Sequence, residues 1–247
     1  MTTLKQTDSP ARYRPEITFA IVGTAGRKDD AAILSKKHFE AMCLVAGGLV
    51  EQCKENNYPI THLVSGGAAW ADHVAVRLFL DKKAPHLRLF LPCEWDNGSF
   101  QDTGSDDWKV NPGRTANRLH KSFQSRTQIN SLTEIHIAKS EGAELIPVSK
   151  GFYARNALVA KSDFLLAMTF GNEHEVKEGG TAHTVGVYLT RVRKEGIFDK
   201  SFHYDLNTGK IYIGCTVPKE LPAKDGDNNP RKAFQVARVK RFLSANP

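Results

Sequence analysis

Val64-Ser65-Gly66-Gly67-Ala68-Ala69-Trp70-Ala71-Asp72 decides the fold. It joins a β-prone run, Ile60 to Val64, to a helical pattern, Ala68 to Lys82, through paired glycines. Glycines there let the backbone approach a ligand closely, and the free N–H groups at the positive end of the helix dipole suit an anion such as a phosphate. The same arrangement recurs in both directions along the chain. Upstream, Ile17 to Val22 leads into Gly23-Thr24-Ala25-Gly26-Arg27; downstream, Phe164 to Met168 and a turn over 171–180 lead into Glu178-Gly179-Gly180-Thr181-Ala182-His183-Thr184. Three such turns point to a nucleotide pocket.

Between these turns the pattern alternates. A helix is predicted from Asp29 to Asn56 with Ile33, Met42, Val45 and Leu49 facing inward, and a third strand from Leu87 to Leu91, closed by Pro92. The resulting βαβαβ order implies a parallel sheet with right-handed crossovers and a ligand beyond the strand carboxyl ends. Residues 92–114 carry turn signals without periodic apolar residues, as expected of a loop or lid that covers a site. Helices follow at Ala116 to Gln128, Ile129 to Ser140, Phe152 to Lys161 and Thr181 to Arg193, then a hairpin of Phe202 to Tyr204 and Ile211 to Val217 around Asn207-Thr208-Gly209. The expected fold class is α/β: a Rossmann-like parallel sheet with helices on both faces, plus a C-terminal β-hairpin and a basic helix. The chain divides into an N-terminal segment (1–15), a nucleotide-binding domain (16–220), and a linker with the basic helix (221–247).

With 40% hydrophobic and 25% charged residues, the composition is that of a folded protein, not a disordered or fibrous one. No apolar stretch is long enough to span a bilayer, and Met1 to Arg14 lacks the apolar core of a signal peptide, so a cytoplasmic protein without a membrane partner is expected. Cys43, Cys53, Cys93 and Cys215 are scattered and form no CxxC pair, which points to reduced thiols and to no metal site. The net charge of +7 concentrates in Arg231, Lys232, Arg238, Lys240 and Arg241, interleaved with Phe234, Val236, Val239, Phe242 and Leu243. That segment reads either as a docked helix with a solvated basic face or as a nucleic-acid contact.

Ile21-Val22-Gly23-Thr24-Ala25-Gly26-Arg27, Ser65-Gly66-Gly67-Ala68-Ala69-Trp70-Ala71-Asp72, Leu91-Pro92, Arg155-Asn156, Ser162-Asp163 and Gly179-Gly180-Thr181 resemble, in that order, the SLOG superfamily over about residues 16 to 195. That superfamily groups LOG-like phosphoribohydrolases, DprA-like DNA-processing proteins and nucleotide-sensing domains. The resemblance implies a homo-oligomer and a phosphate or sugar contact from Arg155. In the hydrolase branch a PGGxGTxxE segment holds the phosphate and supplies a catalytic glutamate. Here Glu178 replaces the proline, Ala182 and His183 replace Gly-Thr, and Gly186 stands at the glutamate position.

Cleavage of an N-glycosidic bond builds positive charge on the ribose, so a carboxylate is needed close by. The candidates are Glu94, Asp72 and Glu178, with Asp72 open to a second reading as a residue that caps or orients its own helix turn. Gly23, Thr24, Gly26, Arg27, Ser65, Gly66, Gly67, Arg155, Asn156, Gly179, Gly180, Thr181, His183 and Thr184 are the candidate ligand contacts. Trp70, Trp95 and Trp108 fall near the same edge, where one can stack on a base. No cofactor is required. The expected function is nucleotide binding with hydrolysis of a nucleoside 5′-monophosphate or related phosphoribosyl compound; the alternatives are a non-catalytic sensor of a nucleotide or NAD-derived signal and a DprA-like single-stranded DNA binder.

Overall fold

The computed structural model describes residues 16–148 and 151–218. The N-terminal segment 1–15, the linker and the basic C-terminal helix expected from the sequence lie outside the described residues, and so does the nucleic-acid contact assigned to that helix.

The first strand, β1 (Thr18–Gly23), is followed by α1 (Asp30–Ile33), α2 (Lys36–Glu55), β2 (His62–Ser65), α3 (His73–Leu80) and β3 (His86–Leu91). A two-stranded hairpin, β4 (Trp95–Asp96) with β5 (Ser99–Phe100), comes next, then α4 (Pro112–Thr127), α5 (Ser131–Ser140) and β6 (Glu144–Pro147). The chain closes with α6 (Gly151–Val159), β7 (Phe164–Thr169), α7 (Gly180–Glu195), β8 (Ser201–Asp205) and β9 (Lys210–Ile213). The seven-stranded sheet has the order β6-β3-β2-β1-β7-β8-β9, and within it only β9 runs antiparallel to its neighbour. The molecule is thus α/β and Rossmann-like.

Side chains alternate across each strand and build a core on both faces. Phe19 and Ile21 of β1 and Leu166 of β7 meet α2 to α5, through residues such as Phe39, Val74, Phe123 and Ile135. Ala20, Val22, Leu165 and Ala167 meet α6 and α7 through Val159, Val185, Tyr188 and Leu189. After β1 the chain builds the sheet outward through β2 and β3, then returns to lay β7 against the other side of β1. Such a switch point opens a crevice at the carboxyl ends of β1 and β7.

The structure corrects several local expectations. The long first helix is two, because Leu34 is extended (ψ 136°) and Ser35 opens a new helix through a capping box with His38. Ile33, expected inside, ends the short α1 and is 53% exposed, whereas Met42 and Leu49 are buried and Val45 packs half-buried against the core. The second helix starts at His73 rather than Ala68, since Trp70 takes φ 64° and the intervening residues form the glycine loop. Strand β6 was not anticipated: Glu-Leu-Ile-Pro is too short to show a period, and its proline is tolerated because β6 is an edge strand. The segment expected as an open loop is tied down. Asn111 Nδ2 donates to Asp102 Oδ1 (2.5 Å) and to the Ser105 carbonyl (2.8 Å), and Arg114 Nε donates to Asp102 Oδ2 (3.1 Å).

Candidate functional site

At the carboxyl ends of β1, β2 and β7 the three glycine loops converge on one cleft of about 400 Å³. Its first wall is the start of α7. Gly179 sits at the N-cap position with φ 111°, no side chain caps the helix, and Gly180, Thr181 and Thr184 line the cleft. A helix of 16 residues therefore presents the positive end of its dipole to this space. The hydroxyls beside it are already engaged: Thr181 Oγ1 donates to the Gly23 carbonyl (2.9 Å) and Thr184 Oγ1 to the Gly180 carbonyl (3.0 Å), which also accepts from Asn156 Nδ2 (3.1 Å). Thr181 and Asn156 fasten α7 to β1 and α6, Thr184 bonds back within α7, and the first backbone N–H groups of the helix are left facing the cleft.

The floor is a buried ion pair. Asp72 occupies the N-cap position of α3 without capping it; its Oδ2 turns back to accept from the Ala68 N–H (3.3 Å) and lies 3.8 Å from Arg155 Nη1. Asp72 therefore does not cap its own helix, as one reading of the sequence expects, but does hold the turn that leads into it. Arg155 Nη1 donates to the Gly66 carbonyl, while its Nε is buried with no partner among the described residues. A Cβ on Gly66 would stand 2.6 Å from Arg155 Cζ and 2.8 Å from Asp72 Oδ2, so only glycine lets the pair reach this loop. Asp72 is 5% and Arg155 9% exposed. Burial pushes the Asp72 carboxyl above its usual range against the pull of Arg155 and the N–H groups of Ala68, Gly66 and Gly23; burial likewise lowers the Arg155 guanidinium, which Asp72 opposes.

A second ion pair lines the cleft. Lys177 Nζ lies 2.5 Å from Asp30 Oδ1, and Asp30 Oδ2 accepts from Thr24 Oγ1 at 2.5 Å. Asp30 and Lys177 both line the cleft and were missed in the sequence. Each sits beside a glycine loop, but nothing in the linear pattern couples them. Arg27 also lines the cleft, and its guanidinium and that of Arg155 lie 5.2 and 5.3 Å from the centroid of the Phe152 ring.

Other candidates are placed elsewhere. Glu94 lines a separate cavity of about 300 Å³ with Pro92, Cys93 and Gln101, at the base of the β4–β5 hairpin, where its carbonyl accepts from the Gln101 N–H (2.9 Å). Glu178 is exposed at the cleft rim. Ser65 is fully buried, donating to the Asp72 carbonyl (2.9 Å) and accepting from the Gly67 N–H (3.3 Å), so it shapes the loop from behind. The Gly67 carbonyl accepts from His120 Nε2 (3.1 Å), which fixes the tautomer and makes His120 Nδ1 the acceptor for Ser131 Oγ (2.8 Å). Gly26 donates to Thr24 Oγ1 (3.1 Å) and packs over the buried Trp70 indole. The His183 ring stands edge-on to Tyr153, with centroids 4.8 Å apart, outside the cleft lining. Gly186, farther along α7, brings no carboxylate.

Trp95 packs on Phe100, centroids 5.1 Å apart, while Trp108 lies at the mouth. All four cysteines are free thiols. Among the described residues no group of three or more His, Cys, Asp or Glu is arranged to hold a metal ion, and no helix is long and apolar enough to cross a membrane.

No protein-family model matches the chain. Over 171 residues the chain is 37% identical to an uncharacterised protein of Acanthamoeba polyphaga mimivirus, an alignment that spans 68% of this chain and 89% of the viral protein.

Proposed function

We propose a phosphate-directed function for this chain, which belongs to the same protein family as the mimivirus protein: it binds a nucleoside 5′-monophosphate or related phosphoribosyl compound and hydrolyses its N-glycosidic bond. One observation carries the reading: the uncapped start of α7 and the buried Arg155–Asp72 pair open onto the same cleft. A phosphate at Gly179-Gly180 meets backbone N–H groups and the helix dipole, with Arg27 and Lys28 adding positive charge from the opposite loop. The ribose then lies over Asp72. As the bond from C1′ to the base nitrogen breaks, the nitrogen takes the bonding electron pair, positive charge grows on the sugar and the desolvated carboxylate stabilises it; water then adds its hydroxyl to C1′ and its remaining proton goes to the base nitrogen, giving ribose 5-phosphate and the free base. The SLOG resemblance supports the same class of ligand.

A second reading, a sensor that holds its nucleotide intact, is favoured by the engagement of Asp72 with Ala68 and Arg155 and by the absent carboxylate at Gly186. Incubation with a panel of nucleoside monophosphates and NAD, followed by heat stabilisation and chromatography, separates the two. Stabilisation with release of free base supports the hydrolase, stabilisation with intact ligand supports the sensor, and no response overturns both.

A further inference from the structure

We propose that the mouth of the cleft is a subsite for a planar aromatic base, with the Trp108 indole as its stacking platform. The proposal rests on the phosphate reading for the position of the other end of the ligand.

Trp108 and Tyr153 both line the cleft, yet they are 45% and 62% exposed. Folding gains little from leaving nearly half of an indole open to solvent, with Phe152 and the Lys109 ammonium (5.8 Å from the ring centroid) against it, and a half-exposed aromatic pair in a concave site is a mark of ligand contact. Nor is the indole loosely held. Its turn is closed by N–H donation from Val110 (3.0 Å) and Asn111 (2.7 Å) to the Asp107 carbonyl, and Lys109 N donates to Asp107 Oδ1 (2.9 Å). The Trp108 ring leans on Phe152 with centroids 6.0 Å apart and planes 39° from parallel. Phe152 in turn carries the guanidiniums of Arg27 and Arg155, so a continuous layer runs from the aromatic mouth to the cationic interior. A ligand with a flat base at one end and a phosphate at the other matches that gradient from apolar to charged. Stacking buries the faces of base and indole while the base edges stay free, so this platform selects nucleotides over sugar phosphates without by itself selecting one base.

The test compares adenosine 5′-monophosphate, adenosine and ribose 5-phosphate on the full chain and its Trp108→Ala and Trp108→Phe variants, with affinities read by calorimetry. Because Trp108 is surface-exposed, the variants are expected to fold. The expected result is a loss of about ten- to a hundredfold in nucleotide affinity for Trp108→Ala, an unchanged affinity for ribose 5-phosphate, and recovery of most of the loss in Trp108→Phe. Equal binding of nucleotide and ribose 5-phosphate, untouched by Trp108→Ala, would overturn the base subsite and leave the phosphate reading standing. Binding of adenosine that depends on Trp108, with ribose 5-phosphate silent, would do the reverse. Silence from all three overturns both.

Discussion

Arg155 on α6 and Asp72 at the start of α3 belong to helices packed on opposite faces of the sheet, yet Arg155 Nη1 and Asp72 Oδ2 lie 3.8 Å apart beyond the end of β2. The pair is a bolt through the strand ends, and Gly66 is the gap through which it passes.

Arg155→Ala strands the Asp72 carboxylate in a buried position. Removing one member of such a pair costs about 3–5 kcal/mol, more than removing both, because the survivor keeps its desolvation penalty. Denaturant unfolding is expected to show this loss for Arg155→Ala and a smaller one than the sum for the double variant Asp72→Asn/Arg155→Met. In the folded fraction, nucleotide affinity falls as well; an unchanged affinity would remove Arg155 from the site.

Asp72→Asn keeps an oxygen for the Ala68 N–H but removes the negative charge. If the cleft hydrolyses its ligand, turnover is expected to drop at least about a hundredfold while the dissociation constant moves far less. Release of base at the wild-type rate would exclude Asp72 as the stabilising carboxylate. Glu94→Gln, in the separate cavity, is expected to leave turnover unchanged.

His120 supplies a pH signature. Burial, with a smaller push from His73, lowers its pKa to about 3 from an ordinary 6.5. The folded state therefore refuses a proton that the unfolded chain takes up. No penalty exists above pH 6.5; it accumulates as pH falls toward 3, with a slope of up to about 1.4 kcal/mol per pH unit. His120→Asn is expected to flatten the stability profile by about one proton over that window, read from urea midpoints at successive pH values.

Asp102 works in the other direction. Hydrogen bonds from Asn111, the Gly104 N–H and Arg114 hold its carboxyl down at about 2, below the ordinary 3.8. The tie on the Trp108-bearing segment is fully present above pH 3.8 and is lost as pH falls through about 2. Asp102→Ala is expected to release the segment at neutral pH, seen as faster amide exchange over residues 103–111 with little change in global stability. Exchange at the wild-type rate would show that the turn holds itself.

Much of the scaffold was legible because it rests on short-range rules. The apolar runs of β1, β3 and β7 and the glycine pairs after β1, β2 and β7 specify strand, turn and loop locally, and their order implies a parallel sheet with every glycine loop at one edge. Where competing local signals are near balance, the pattern misleads: Ser35 breaks a helix that periodicity alone joins, and β6 is too short to show a period. Arg155 and Asp72 each stand out in the sequence, but nothing in it couples them, nor Lys177 to Asp30.

The sequence by itself determined the fold class and the sheet edge at which the glycine loops gather, since both follow from periodicity and backbone chemistry within a few residues. Only the tertiary structure decided which side chains share the cleft. It placed Asp72 on the floor against Arg155, sent Glu94 to another cavity, left Trp108 half-exposed at the mouth and engaged the Thr181 hydroxyl in fastening α7 to β1. Those outcomes depend on distances of a few ångströms between segments far apart in the chain, which the order of crossovers and the packing of helices on both faces set, and which no local pattern encodes.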